Sequence, residues 1–125
     1  MPPRRRTDPA AGRSALEAVR AAGGDPSGLD RATVGAAVRY TLEEFAVRHP
    51  GRSVELRVPP YGAVQGIEGP THKRGTPPNV FETDAATWLA LATGTLAWDE
   101  ALGSGAVRAS GLRADLAPYL PLGAL

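Results

Sequence analysis

The 125-residue chain contains no cysteine, which excludes a disulfide framework, a thiolate metal site and a cysteine nucleophile together. Lysine is nearly missing too. Lys73 is the only one, so arginine carries almost all the positive charge. A formal net charge of +1 is too small for bulk electrostatics to steer nucleic acid, and no nucleic-acid partner is expected. No window approaches the roughly 20 apolar residues that a membrane span needs. The opening MPPRRRTDPAAGRS has the charge of a signal peptide without the apolar run behind it. The expectation is a soluble, unexported, cytoplasmic protein with no integral membrane segment. His49 and His72 are the only histidines, and no spacing suggests a nucleophile with its base. A non-catalytic protein with no cofactor and no metal is therefore expected.

What remains is one domain's length of chain, enough to bury roughly two-thirds of its unfolded surface. Residues 1–9 hold Pro2, Pro3, Arg4, Arg5, Arg6 and the Asp8-Pro9 pair, a composition that predicts a disordered basic arm ahead of a single domain over 10–125. The arginines there read as a solvated tail, the alternative being contact with lipid or nucleic-acid phosphate. A short surface helix is expected over 13–22, stopped by Gly23-Gly24. Asp30 then stands where an N-cap belongs. Behind it, Val34, Val38, Leu42, Phe45 and Ala46 recur along one helical face, with Arg31, Arg39, Glu43 and Arg48 mostly on the other. Adjacent helical residues point about 100° apart, so Glu43 and Glu44 are expected on a solvated face rather than as a catalytic pair. His49 falls at the helix end, where the helix dipole favours it.

The period then changes from 3.6 to 2. Val54, Leu56 and Val58 share one side of a strand, Glu55 and Arg57 the other. Pro59-Pro60 stops it, and a short connection through Tyr61-Gly62 predicts a hairpin into AVQGIE. Gly66 in that second strand marks a bulge or a close approach by another group. Residues 69–79 are the most polar stretch. There His72, Lys73 and Arg74 stand beside Gly75, either as an anion or partner contact or as a solvated hairpin loop. NVFET predicts a third strand. Residues 84–111 organise the rest: Asp84 caps a helix whose Trp88, Leu91 and Ala92 share a face, Gly94 ends it, a short helix carries Leu96, Trp98, Ala101 and Leu102, and AVRAS makes a last strand. A terminal helix with Leu112, Leu116, Tyr119 and Leu120 is expected before Pro121. The sum is an α+β fold with a small antiparallel or mixed sheet of about four strands packed against helices.

Gly94 and Leu96, then Ala101, Gly105 and Val107, then Gly111, Leu116 and Leu120 form a run that resembles the C-terminal half of the sterol-carrier-protein domain family. The resemblance covers about a third of the chain; over residues 30–84 only the order of elements agrees. It implies a carrier of sterols, fatty acids or acyl-CoA in an apolar cavity between sheet and helices. Related domains also serve as accessory parts of larger enzymes. On this resemblance the chain is a non-catalytic sterol-carrier-like domain that binds a lipid, fatty acyl chain or other apolar ligand in a groove lined by Phe45, Trp88, Leu91, Trp98, Leu116 and Leu120. One alternative is an accessory or protein-interaction module without a cavity, using Tyr61 and the 72–78 loop. Another is a minor enzyme activity on an acyl or CoA substrate through His72 and Glu82.

Magnitudes sharpen the choice. At roughly 24 cal/mol per Å³, an empty pocket of about 300 Å³ would cost about 7 kcal/mol, against the roughly 5 to 15 kcal/mol that holds a small domain together. Either Trp88 and Trp98 fill the space, or a ligand does.

Overall fold

The computed structural model describes residues 6–70 and 79–125. Arg4, Arg5 and the possible anion contact at His72, Lys73 and Arg74 lie outside them.

The first helix, α1, spans Pro9–Ala21, four residues earlier than periodicity suggests. Proline suits the first helical position, because its absent N–H has no partner there anyway. Gly12, Ala15, Leu16 and Val19 are buried against the second helix, so α1 is a packed element and not a surface one. Helix α2, Arg31–Arg48, starts where expected: the Asp30 carboxylate accepts from the Thr33 N–H at 2.7 Å. That bond favours the ionised form and holds the Asp30 carboxyl below its ordinary range. Val34, Val38, Leu42, Phe45 and Ala46 are all buried. So are Ala37, Tyr40 and Thr41, because α2 lies between α1 on one side and the sheet on the other.

Strands β1 (Val54–Val58), β2 (Gly62–Gly66), β3 (Asn79–Thr83) and β4 (Val107–Ser110) form one mixed sheet in the order β2-β1-β3-β4. The β1–β2 hairpin is antiparallel, with Val54 opposite Gly66 and Val58 opposite Gly62. Strand β3 runs parallel to β1, and β4 antiparallel to β3. Val54, Leu56, Val58 and Phe81 point to the helices and are fully buried. The opposite face carries a ladder of charge in which Arg57 stands opposite Glu82 and Glu82 opposite Arg108. Glu55 adds an ion pair with Arg57. Alternating strands put these charges in water and leave the other face to the core.

Helix α3, Ala85–Thr93, is capped by Asp84 onto the Thr87 N–H at 2.8 Å and ended by Gly94 at φ 87°. A short helix, α4, covers Trp98–Gly103. The expected terminal helix does not form. Two 3₁₀ turns, Leu112–Ala114 and Ala117–Tyr119, take its place. Pro118 removes an N–H that a helix would need, and the Asp115 carboxylate accepts from the Ala117 N–H at 3.0 Å, an alternative to helical bonding. The tail is held all the same, since the Leu122 N–H donates to the Ala92 carbonyl at 2.9 Å and Arg48 donates to the Gly123 and Ala124 carbonyls.

His49 closes α2 as its C-cap, with its ring 5.0 Å from Phe45 and 4.8 Å from Tyr119. Desolvation, with repulsion from Arg48, holds its pKa below the ordinary value. Burial therefore outweighs the helix dipole that the sequence alone suggests. An unfolded chain binds a proton at His49 near pH 6.5, and the folded one only at lower pH. Stability from this group is thus complete above about pH 6.5 and is lost as pH falls through the window between the two values. The melting temperature of the wild type is expected to fall between about pH 7 and pH 5 more steeply than that of His49→Gln. Equal slopes in the two proteins would contradict the assignment.

Candidate functional site

Of the six residues expected to line an apolar groove, Phe45, Trp88, Leu91 and Leu116 lie in the buried core and Trp98 and Leu120 pack against it. Trp88 is 0% exposed and bridges two rings, Phe45 at 6.2 Å and Phe81 at 6.0 Å. Its indole N–H donates to the Thr41 hydroxyl at 2.8 Å, and Thr41 donates to the Ala37 carbonyl at 2.8 Å. Leu91 and Leu116 are buried as fully as Phe45, while Trp98 and Leu120 are half-buried at the edge of the same cluster. Trp98 lies 5.8 Å from Phe81. The tail that carries Leu116, Leu120 and Leu122 closes this side of the molecule. The structure brings the six together, and none of them borders the open groove described next.

That groove lies at the other edge of the sheet, between α2 and β2, and has a volume of about 710 Å³. Arg39, Leu42, Glu43 and Ala46 face it from α2 at helical spacing. Gly62, Ala63, Val64 and Gln65 face it from β2, Pro50, Gly51 and Arg52 from the turn after α2, and Tyr61 and Arg6 from its rim. Two glycines shape the Arg39 end. A Cβ on Gly62 would stand 3.3 Å from the Arg39 stem, and one on Gly35 would stand 2.8 Å from the Arg39 guanidinium and 3.2 Å from the Tyr61 ring. The guanidinium also donates to the Tyr61 carbonyl at 3.4 Å. At the far end of β2, the Phe45 ring and the His49 carbonyl come within 3.1 to 3.2 Å of where a Gly66 Cβ would be. The register continues regularly through Gly66, so of the two readings of this glycine the close approach holds and the bulge does not. Among the described residues β2 pairs only with β1, so its outer edge has no strand partner among them.

Glu43 is the largest departure from expectation at the groove. It is only 8% exposed and is not on a solvated face. Its carboxylate accepts from the Arg6 N–H at 3.1 Å, the Thr7 N–H at 2.9 Å and the Thr7 hydroxyl at 3.2 Å. Three donors meet the need of a buried charge. They also fasten the segment before α1 along the groove, so that Arg6 becomes part of its wall.

A profile of the family described as "Bacterial SCP ortholog" matches residues 30–122. The chain belongs to this family. The match takes in α2, the whole sheet, α3, α4 and both 3₁₀ turns of the tail, and leaves α1 outside it. Among curated proteins, none matches the chain. In this SCP-family domain α2 and β2, the walls of the groove, both lie inside the matched region, while Arg6 is contributed by the preceding segment.

Glu82, considered above with His72, sits on the outer face of the sheet, 4.0 Å from Arg108. His72 is outside the described residues. Among those described, no three histidine, aspartate or glutamate side chains gather as a metal site, and no helix is long and apolar enough to cross a membrane. Of the groove's residues, sequence reading singled out Tyr61 as a contact, and Arg6 in the alternative reading of the basic arm. The signals for the others were the 39, 42, 43, 46 spacing and the small residues Gly62 and Ala63, which read equally well as ordinary helix and strand.

Proposed function

We propose that this SCP-family domain is a non-catalytic binder of an apolar or acyl-chain ligand, and that the ligand lies in the groove between α2 and β2. The observation that carries the reading is the groove itself. Its volume of about 710 Å³ falls within the roughly 300–1,000 Å³ of small-molecule sites, and Tyr61, Ala63 and Val64 offer it apolar surface over the buried Leu42 and Ala46. Family membership supports a sterol-carrier-like role. The packed core argues for moving the ligand away from the tryptophans, because an occupant beside Trp88 would have to displace side chains that are already fully buried.

Native mass spectrometry of the purified protein, followed by lipid extraction, tests this. A co-purified apolar ligand is expected, together with amide shifts over Gly62–Gln65 when a fatty acid is added. A clean apo mass with no shift from fatty acid, sterol or acyl-CoA would overturn it and leave the accessory-module reading, with Tyr61 as a contact.

A further inference from the structure

We propose that the outer edge of β2 receives an extended acidic segment of a partner protein, which joins the sheet as a fifth strand and sets its carboxylates against Arg39 and Arg52. This goes beyond the ligand-binding reading and does not depend on it, since the contacts are with the backbone of β2. Residues along a strand turn their N–H and C=O groups alternately to one side and the other. The phase along β2 is fixed at both ends. The Tyr61 carbonyl accepts from the Arg39 guanidinium at 3.4 Å, and the Ile67 N–H donates to the His49 carbonyl at 2.7 Å, so both bond to α2 rather than to β1. Only the Ile67 carbonyl turns back, to Ser53, where the chain takes its φ of 65°. Ala63 and Gln65 share the parity of Tyr61 and Ile67. Helix α2 therefore closes the edge at each end and leaves the N–H and C=O of Ala63 and Gln65 facing the groove, with no strand beside them among the described residues.

Gly62–Gly66 contains neither a charged residue nor a proline, the devices that ordinarily keep a strand edge from pairing. The opposite edge, β4, carries Arg108. What borders the β2 edge is positive. Arg39 stands at its Tyr61 end. Arg52 stands at the other end, next to the Ser53 whose N–H donates to the Ile67 carbonyl, and Arg6 lies along the wall. None of the three guanidinium groups has a carboxylate partner among the described residues. The one acidic residue that lines the groove, Glu43, is buried and engaged by Arg6 and Thr7. Tyr61 to Ile67 spans about 20 Å of strand, so a segment of about six residues with carboxylates near both ends meets both Arg39 and Arg52. Backbone pairing supplies the affinity of such an addition, and charge complementarity its choice of partner. A second copy of this chain would bring two sets of arginines together along the joined edges, so an acidic partner is the occupant that the charge favours.

Amide chemical shifts and titration calorimetry on the full chain test this with capped six-residue peptides of alternating valine and threonine. One peptide has glutamate at both ends and a second has lysine there. A third keeps the glutamates but is N-methylated throughout, which removes its donors. The glutamate peptide is expected to bind with its largest shifts at Ala63 and Gln65, and about tenfold more tightly than the lysine peptide. That preference should shrink as salt is raised, because the charges are exposed, and Arg39→Gln should remove much of it. N-methylation should abolish binding. Ala63→Pro takes away one outward donor and spares the bonds to β1; it is expected to keep the fold and lose the peptide. The N-methylated peptide makes the same test on the unaltered protein, whether or not Ala63→Pro folds. No response to the glutamate peptide at about 1 mM, equal binding of the lysine or N-methylated peptide, or an Ala63→Pro variant that folds and binds like the wild type would each overturn the strand addition. So would a single-stranded oligonucleotide bound as tightly as the glutamate peptide, because charge alone would then account for the binding. A fatty acid that binds where the glutamate peptide does not refutes the strand addition and leaves the ligand reading standing.

Discussion

Trp88→Ala is expected to lower the unfolding free energy by about 3 to 5 kcal/mol, the range for removing a large buried aromatic. The side chain is fully buried and joins α3 to both α2 and the sheet through Phe45 and Phe81. Its loss leaves an apolar void and also strips the Thr41 hydroxyl of its donor. Against a total of roughly 5 to 15 kcal/mol, the variant stands near the limit of folding. Thr41→Val separates the polar part from the apolar part, because it keeps volume and deprives the buried indole N–H of its acceptor; a loss of about 1 to 3 kcal/mol is expected. Urea denaturation followed by circular dichroism measures both. A Trp88→Ala midpoint close to that of the wild type would mean that this tryptophan does not tie the layers together, and a packed core would no longer be the reason to place a ligand elsewhere.

The second large effect is at Gly51. A Cβ there would lie 2.1 Å from the Ile67 carbonyl oxygen and 2.4 Å from the Glu68 nitrogen, and the residue has φ 152°. Backbone atoms cannot turn aside as a flexible side chain can. Ile67 is also pinned from both sides: its N–H donates to the His49 carbonyl at 2.7 Å, and its carbonyl accepts from the Ser53 N–H at 3.1 Å and the Ser53 hydroxyl at 2.7 Å. Ile67 itself is held at φ 65°, an uncommon conformation for a β-branched residue. Gly51→Ala is expected to cost about 3 kcal/mol, combining overpacking of about 1 to 3 kcal/mol with the strain of a positive φ. Gly103→Ala is the control, since nothing lies within 4 Å of the added carbon. It should be neutral or slightly stabilising, within about 1 kcal/mol. Matching melting temperatures for the two variants would refute the close contact between the turn after α2 and the end of β2. Because Gly51 borders the groove, its replacement is also expected to weaken the amide response of Gly62–Gln65 to a fatty acid.

Local chemistry explains why so much of the fold was legible. Asp30 and Asp84 cap as their positions predict, and Gly94 ends α3 in the left-handed conformation. The alternation in β1 correctly divides Leu56 from Glu55 and Arg57. Each of these signals acts over a few residues. The failures come from contacts between distant parts of the chain or from competition within one segment. Apolar spacing over 112–120 favours a helix, but Pro118 and the Asp115 side chain offer that backbone other partners. Glu43 reads as solvent-facing until Arg6 and Thr7, 37 and 36 residues away, arrive to satisfy it.

The candidate site divides in the same way. Trp88, Leu91 and Leu116 announce themselves as apolar, and hydrophobicity is a property that a residue carries wherever it goes. Whether an apolar residue faces a ligand or another side chain depends on what packs against it, and here the tail and the two phenylalanines fill that space. The α+β class, the four strands, the caps and the family resemblance were therefore written in residue type and spacing. The order β2-β1-β3-β4, the burial of Glu43 and the gap between α2 and the outer edge of β2 were decided only by tertiary packing. A groove is a volume that side chains leave unoccupied, and no short-range pattern encodes what is not there.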